Sequence, residues 1–149
     1  MTQARAIVAA FVAAFLLLGL GCATPEALKP TRAWDQSAVT SLAGELADRV
    51  HEAAATAGNE NVESYQAESV NNYLNDLSIL ERQCRHLHSE LKEGKNLSQT
   101  SWIYDEVKRF YQTVYQTGSW QIIEDKFGAG QTSTAALIEQ LDAYYGKNY

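Results

Sequence analysis

Residues 70–94 read VNNYLNDLSILERQCRHLHSELKEG and carry the most regular apolar pattern in the chain. Apolar side chains recur there in alternating steps of three and four residues, which is the spacing of a helix that buries one stripe. The stripe consists of Val70, Tyr73, Leu77, Leu80, Cys84, Leu87 and Leu91, widened by Leu74. We predict a helix from Val62 to Glu93, capped by Asn61 and stopped by Gly94. At 1.5 Å per residue it would be about 48 Å long, so its first half projects or the helix bends.

An earlier amphipathic pattern predicts a helix from about Asp35 to Ala57, with Asp35 as its N-cap. Gly58 and Asn59 end it, because both residue types tolerate the left-handed conformation of a helix C-terminus. Its apolar positions are Val39, Leu42, Leu46, Val50, Ala53 and Ala57.

Two further helices are predicted after Gly94. The third begins at Ser98, with Leu97 and Trp102 forming a hydrophobic staple. The last is capped by Thr132 or Ser133. Their apolar faces consist of Ile103, Val107, Phe110 and Val114 in the third helix, and of Leu137, Ile138, Leu141 and Tyr145 in the last.

Residues 113–127 allow two interpretations. Trp120 to Phe127 has the composition of a short helix, whereas Thr113 to Ile123 around Gly118 also fits a hairpin. We favour the helix. Because short loops between amphipathic helices make neighbours antiparallel, we predict an all-α, up-down antiparallel bundle of about four helices.

The N-terminal segment differs from the rest of the chain, because a short charged stretch is followed by a continuous apolar run. Met1 to Arg5 is polar with one positive charge, and Ala6 to Leu18 is continuously apolar. This apolar run is shorter than the roughly 20 residues of a membrane-spanning helix but suits the central region of a signal peptide. It ends in Leu18-Gly19-Leu20-Gly21-Cys22.

This segment resembles the signal of bacterial lipoproteins, in which a Cys after a small residue is lipidated and becomes the N-terminus after cleavage. The resemblance covers only the first two dozen residues, and Gly19 stands where the family usually has Leu. It implies lipidation of Cys22 with acyl chains such as palmitate. Ala23, rather than Asp, implies the outer membrane, facing the periplasm. Two alternatives stay open: ordinary cleavage after Ala23, and an uncleaved anchor.

These assignments divide the chain into a signal peptide at 1–21, a lipidated N-terminus and tether at 22–34, and a helical bundle domain at 35–149. Pro25 and Pro30 favour an extended tether, because proline and the residue before it avoid helix. If Cys22 is lipidated, Cys84 has no partner for an internal disulfide.

The charge balance narrows the choice of partners. The chain has 12 Lys and Arg against 18 Asp and Glu, a net charge of −6, and removal of the signal with Arg5 makes it −7. Such a surface repels nucleic acid, and charge alone would not hold it on anionic lipid. We therefore expect membrane residence through the lipid on Cys22 and no nucleic-acid partner.

One cluster has the composition of a metal site. Spacings of three and four residues place Glu81, Cys84 and His88 on one side of the second predicted helix, where they are candidate ligands for a soft divalent ion or copper. The competing interpretation, which we favour, makes Cys84 a core residue, because unpaired Cys behaves as a small apolar side chain. Covalent haem would need a Cys-x-x-Cys-His run, which the chain lacks, and we expect no cofactor.

Aromatic residues crowd the C-terminal third, and five of them are candidates for a surface that binds a partner or a glycan: Trp102, Tyr104, Tyr111, Tyr115 and Trp120. The competing interpretation divides them between the core and scattered surface positions.

No catalytic residues are indicated by spacing. We expect a membrane-anchored envelope lipoprotein that acts, without enzymatic activity, as a protein-interaction or structural module, through an envelope partner or self-association. The alternative is a periplasmic metal or small-ligand carrier that uses Glu81, Cys84 and His88.

Overall fold

The computed structural model describes residues 29–59, 67–116 and 131–146. Over these ranges the regular secondary structure is four α-helices, with no strand. They are α1 (Gln36–Asn59), α2 (Ala67–Lys92), α3 (Leu97–Gln116) and α4 (Thr134–Tyr145). The predicted all-α class is confirmed.

The four helices pack as a ring, in which α1 contacts α2 and α4, and α3 contacts the same two helices. Side-chain pairs fix their directions. Gln36, at the start of α1, reaches Leu91 at the end of α2, while His51 further along α1 meets Glu81. The two helices therefore run antiparallel.

Helix α4 runs against α3. Thr100 near the start of α3 contacts Tyr145 at the end of α4, and Tyr104 one turn later contacts Ile138. The connection between α2 and α3 spans only residues 93–96, which makes those two helices an antiparallel pair. The predicted up-down arrangement is confirmed over the described helices.

Local signals begin and end three of these elements as expected. Asp35 Oδ1 accepts a hydrogen bond from Ala38 N at 3.0 Å, as an N-cap should. Ser133 is the cap of α4, its hydroxyl accepting from Ala136 N at 3.2 Å. After α2, Gly94 has φ 84° and bonds Leu91 O at 3.0 Å.

The start of α3 differs from the prediction. Asn96, not Ser98, occupies the cap: Gln99 Oε1 accepts from Asn96 N at 3.0 Å, which is one half of a capping box. Ser98 lies inside the first turn and donates to Asn96 Oδ1 at 2.8 Å. The predicted staple between Leu97 and Trp102 is also wrong. Leu97 is the first helical residue, and Trp102 is 57 % exposed.

The core lies along the predicted stripe of α2. Its six residues from Tyr73 to Leu91 are all buried, and α1 contributes seven buried residues, four of which are alanine. Those of α1 are Val39, Ala43, Leu46, Ala47, Val50, Ala53 and Ala57. Leu42 and Phe110, predicted as apolar-face residues, are only partly buried against this core. Several members of the α1 set are alanines, which allows α1 and α2 to pack closely.

Several predictions lie outside the described residues. They include the signal and Cys22, the cap at Asn61 with residues 62–66, and the helix or hairpin from 117 to 127. Within 113–116 the chain is still helical, as part of α3.

Candidate functional site

The segment that leads into the bundle, residues 29–35 and here named the strap, is bonded to the last helix. The backbone amides of Thr31 and Arg32 both donate to Ala143 O, at 2.9 and 2.8 Å. The Trp34 ring meets Tyr145 edge-on, with ring centroids 5.4 Å apart. These contacts join the beginning of the described chain to its last helix.

Gln36 extends this junction to α2. Its Oε1 accepts from Trp34 Nε1 at 3.0 Å, while its Nε2 donates to Leu91 O at 2.8 Å and to Lys95 O at 3.1 Å. Carbonyls at the end of a helix lack partners within the helix. The Gln36 side chain supplies a hydrogen bond to such a carbonyl of α2 and, through Trp34, also positions the strap.

The C-terminus of α2 closes in a Schellman motif. Lys95 N donates to Glu90 O at 3.2 Å and Gly94 N to Leu91 O at 3.0 Å. The strap, the 93–96 loop, the start of α3 and the end of α4 therefore lie at the same end of the bundle, which we name the base. The opposite end, where α3 finishes at Gln116, is named the distal end.

A buried ionic network that the sequence did not predict joins α3 to α4. Lys108 Nζ lies 2.7 Å from Asp142 Oδ1, with the two side chains only 7 % and 4 % exposed. The Tyr104 hydroxyl lies 3.0 Å from the same carboxylate oxygen and 2.9 Å from Ile138 O. A buried charge is tolerated only when it is paired and hydrogen-bonded, and this carboxylate has both a cation and a hydroxyl beside it.

Tyrosine stacking continues this network toward the base. The rings of Tyr104 and Tyr145 are stacked with centroids 4.3 Å apart, and the Tyr145 hydroxyl lies 2.8 Å from Thr100 Oγ1. Burial raises the pKa of Tyr145 to about 12, against the smaller lowering effect of the Thr100 hydrogen bond. Tyr104 is only 1 % exposed. It therefore belongs to the core, and its assignment to a binding surface was wrong.

The other aromatic candidates lie in two different parts of the bundle. Trp102 and Tyr115 are the exposed large apolar side chains of the described ranges, at 57 % and 45 %. Tyr111 is half-buried, and its ring lies 5.7 Å from that of Tyr115 near the distal end. Trp102 stands apart from this pair, nearer the base, with its ring edge-on to His86 at 5.7 Å. Trp120 lies outside the described residues.

The structure does not bring Glu81, Cys84 and His88 together as metal ligands. Cys84 is fully buried in the core, where burial and then the negative charge of Glu81 raise the thiol pKa above its ordinary value. Glu81 Oε1 lies 2.9 Å from His51 Nδ1 and 2.8 Å from an Arg85 nitrogen. Among the described residues, no group of three or more His, Cys, Asp and Glu side chains is placed to hold a metal ion.

His88 lies instead against α1, beside an open polar groove. The groove has a volume of about 400 Å³. Side chains of both charges line it: Asp48, Arg85, His88, Ser89, Lys92 and Glu93, with Ala47. The mixed charge does not favour a ligand of either sign.

No protein-family model, curated protein or solved structure matches this chain. Across the described helices, no segment combines the length and the apolar character that crossing a bilayer requires. The fold and the contacts thus define a small helical bundle whose N-terminal strap is bonded to its last helix.

Proposed function

We propose that this chain is a membrane-anchored bacterial envelope lipoprotein whose helical bundle serves as a non-enzymatic interaction module. The observation that carries the proposal is the N-terminal pattern of one charge, an apolar run and Gly21-Cys22, followed after a few residues by a strap bonded to the bundle. A lipid on Cys22 would thereby be joined to the base. Two or more acyl chains hold a protein stably on a bilayer, so the surface need not supply membrane affinity.

The length of the tether limits how far the base can lie from the bilayer. Cys22 and Lys29 are seven residues apart, and an extended chain spans at most about 25 Å over that length. The base is therefore held near the bilayer. Helix α1 has 24 residues and is about 36 Å long at 1.5 Å per residue, so the distal end can stand clear of the headgroups.

The surface that we propose for a partner is the Tyr111–Tyr115 pair at the distal end. Tyrosine offers a large, rigid apolar face with a polar tip, which suits contacts that are partly hydrated. Aromatic side chains are among the types enriched where proteins bind one another.

Lipidation is tested by mass spectrometry of the N-terminal peptide from the protein purified out of bacterial membranes. We expect a peptide that begins at Cys22 and carries a diacylglyceryl group and an amide-linked acyl chain. A mature chain that begins at Thr24 without lipid, or a chain that retains Met1 to Gly21, would refute this part of the proposal.

The interaction role is tested by photo-cross-linking in cells, with a photoreactive amino acid at Tyr115. Thr113 is the matched control, because it is exposed on the same turn but points to the other side of α3. We expect one stoichiometric envelope partner, or a second copy of this chain, at Tyr115 and not at Thr113. Equal labelling at both positions, or none at either, would remove the distal pair as a docking surface.

A further inference from the structure

We propose that the base of the bundle docks on the phospholipid headgroups of the membrane that holds the lipid on Cys22. Trp102 enters the headgroup layer, and Lys29 and Lys92 face the lipid phosphates. This inference rests on the proposed lipidation of Cys22, and it adds a specific seating of the folded domain on the bilayer.

Trp102 is the first argument. It is the most exposed large apolar side chain of the described residues, at 57 %. It follows the first residue of α3 by five positions, which places its Cα about 7.5 Å along the helix axis from the base. The indole lies edge-on to His86 of α2, with the ring centroids 5.7 Å apart, so it projects from the side of the bundle near the base.

The depth matches the chemistry of indole. The headgroup layer on each side of a bilayer is about 5–8 Å thick, and Trp is enriched at this level because it has an apolar body and one N–H donor. Because the Trp102 Cα lies about 7.5 Å from the base, the polar base must enter the headgroup layer by several ångström for Trp102 to reach it.

The charge distribution is the second argument. Residues 29–35 and 90–96, which form most of the base, contain four cationic and three acidic side chains, a net charge of +1. The chain after Cys22 carries −7, so everything outside the base carries −8. An anionic surface attracts the base relative to the rest and repels the acidic remainder.

Two of the four cations have no described partner. Arg32 is exposed, and its guanidinium lies 5.7 Å from the Tyr144 ring centroid. Lys95 is paired with Glu90 and with Glu93, the latter at 3.4 Å. Lys29 and Lys92 are exposed, and neither forms an ion pair with any residue that the structure describes. They are the side chains that can contact phosphate without breaking an existing pair.

The tether is the third argument. Because the link from Cys22 to Lys29 spans at most about 25 Å, the base cannot move far from the surface. Contacts that are too weak to recruit a free protein suffice for a tethered one, since the second contact is intramolecular.

The test uses the lipidated full chain in vesicles of phosphatidylethanolamine and phosphatidylglycerol, with and without bromine on the acyl chains near the headgroups. We expect the bromolipid to quench a component of the tryptophan emission that is absent from Trp102→Phe. Iodide added to the water should quench that component less when the protein is in vesicles than when the protein is in solution without vesicles. Lys29→Gln/Lys92→Gln should weaken docking about fivefold per lysine, seen as reduced bromolipid quenching. Arg82→Gln, an exposed cation of α2 outside the base, should leave it unchanged.

The outcomes separate the two proposals. If the chain carries lipid and floats with vesicles but Trp102 is quenched by iodide and not by bromolipid, docking is overturned and lipidation stands. If Trp102 is protected from both quenchers, it is covered by another protein copy, and docking is again overturned. A chain without lipid on Cys22 that does not float overturns both.

Discussion

Gly44 allows the packing of α1 on α2 to be tested as a competition between two known effects. It is buried in α1, facing His88 of α2. A Cβ at position 44 would lie 3.0 Å from His88 Nε2 and 3.2 Å from Cε1, closer than an ordinary contact of 3.4–4 Å. The backbone of Gly44 is helical, so alanine meets no conformational penalty there. The only obstacle is the imidazole.

The two effects are of similar size. Replacing a glycine inside a helix by alanine stabilises it by about 1 kcal/mol. Moving His88 a few tenths of an ångström away from its preferred rotamer costs about 0.5–1.5 kcal/mol. We therefore expect Gly44→Ala to change the free energy of unfolding by less than about 0.5 kcal/mol. In a His88→Ala background the obstacle is gone, and Gly44→Ala should stabilise by about 1 kcal/mol.

The measurement is urea unfolding of the unlipidated chain that begins at residue 23, monitored by far-UV circular dichroism. The variants are compared only if the unfolding free energy depends on urea concentration with the same slope in each. Gly94→Ala is the control. Gly94 has open space around it but φ +84°, so alanine should destabilise by about 1–2 kcal/mol for a backbone reason alone. The reasoning fails if Gly44→Ala has the same effect with and without His88.

Three further predictions concern buried groups. Asp142→Asn removes the anion 2.7 Å from Lys108 Nζ and should cost about 3–5 kcal/mol, part of which Lys108→Met/Asp142→Asn should recover, as measured by denaturant unfolding. Cys84 should resist a thiol reagent in the folded protein at pH 8 and react at once in denaturant, because burial raises its pKa and blocks access. Tyr73 and Tyr145 have pKa values raised from 10.0 to about 12 by burial, so the unfolded chain ionises first. Stability should be intact below pH 10 and fall as the pH rises toward 12.

A specific result would contradict each of these three predictions. A double variant at Lys108 and Asp142 that is as unstable as the sum of the single ones would show that the pair is effectively solvated. Rapid labelling of native Cys84 would place it outside the core. A urea midpoint that does not change between pH 10 and 12 would mean that the buried tyrosines ionise as freely as exposed ones, which phenolate absorbance would confirm independently.

The bundle was predictable because its signals are local or periodic. The stripe of α2 from Tyr73 to Leu91 repeats at the spacing of a helix, and each of its members is buried. Asp35 and Gly94 act within a few residues of their own positions, so the pattern around each was sufficient, whereas the pattern before α4 left Thr132 and Ser133 as equal candidates for its cap.

The cap of α3 shows where local reasoning becomes ambiguous. Asn96 and Ser98 are both good caps, two residues apart, and either could begin the helix. The choice depends on Gln99, whose side chain reaches back to Asn96 N and closes one half of the capping box. The capping-box pattern, which has Glu or Gln three positions after the cap, is met by Asn96 with Gln99 and not by Ser98 with Ser101.

The buried network could not be predicted, because its parts are far apart in sequence. Lys108 interrupts the apolar face of α3 and would ordinarily be placed in solvent. Its partner Asp142 lies 34 residues later, and neither residue predicts the other. Tyr104 was misassigned for the same reason: the carboxylate and carbonyl that accept from its hydroxyl belong to α4.

The candidate site was anticipated only in part. Trp102 and Tyr115 are exposed as a binding surface requires, whereas Cys84 took the core position that the heptad spacing favoured. The boundary at residue 35 leaves the strap outside the bundle, although Thr31 and Trp34 contact α4. Pro25 and Pro30 predict an extended backbone, but they give no information about where residues 29–35 lie in the fold.

The bond from the strap to Ala143 has a consequence for the order in which the molecule matures. Thr31 and Ala143 are 112 positions apart, and a ribosome makes the chain from its N-terminus. Trp34 therefore emerges long before Tyr145, the ring that it meets, exists. The strap therefore cannot form these contacts until α4 has been synthesised, and a chain that stops before Thr134 would never form them. The strap is therefore bonded to the bundle only in molecules in which α4 has been made and has folded.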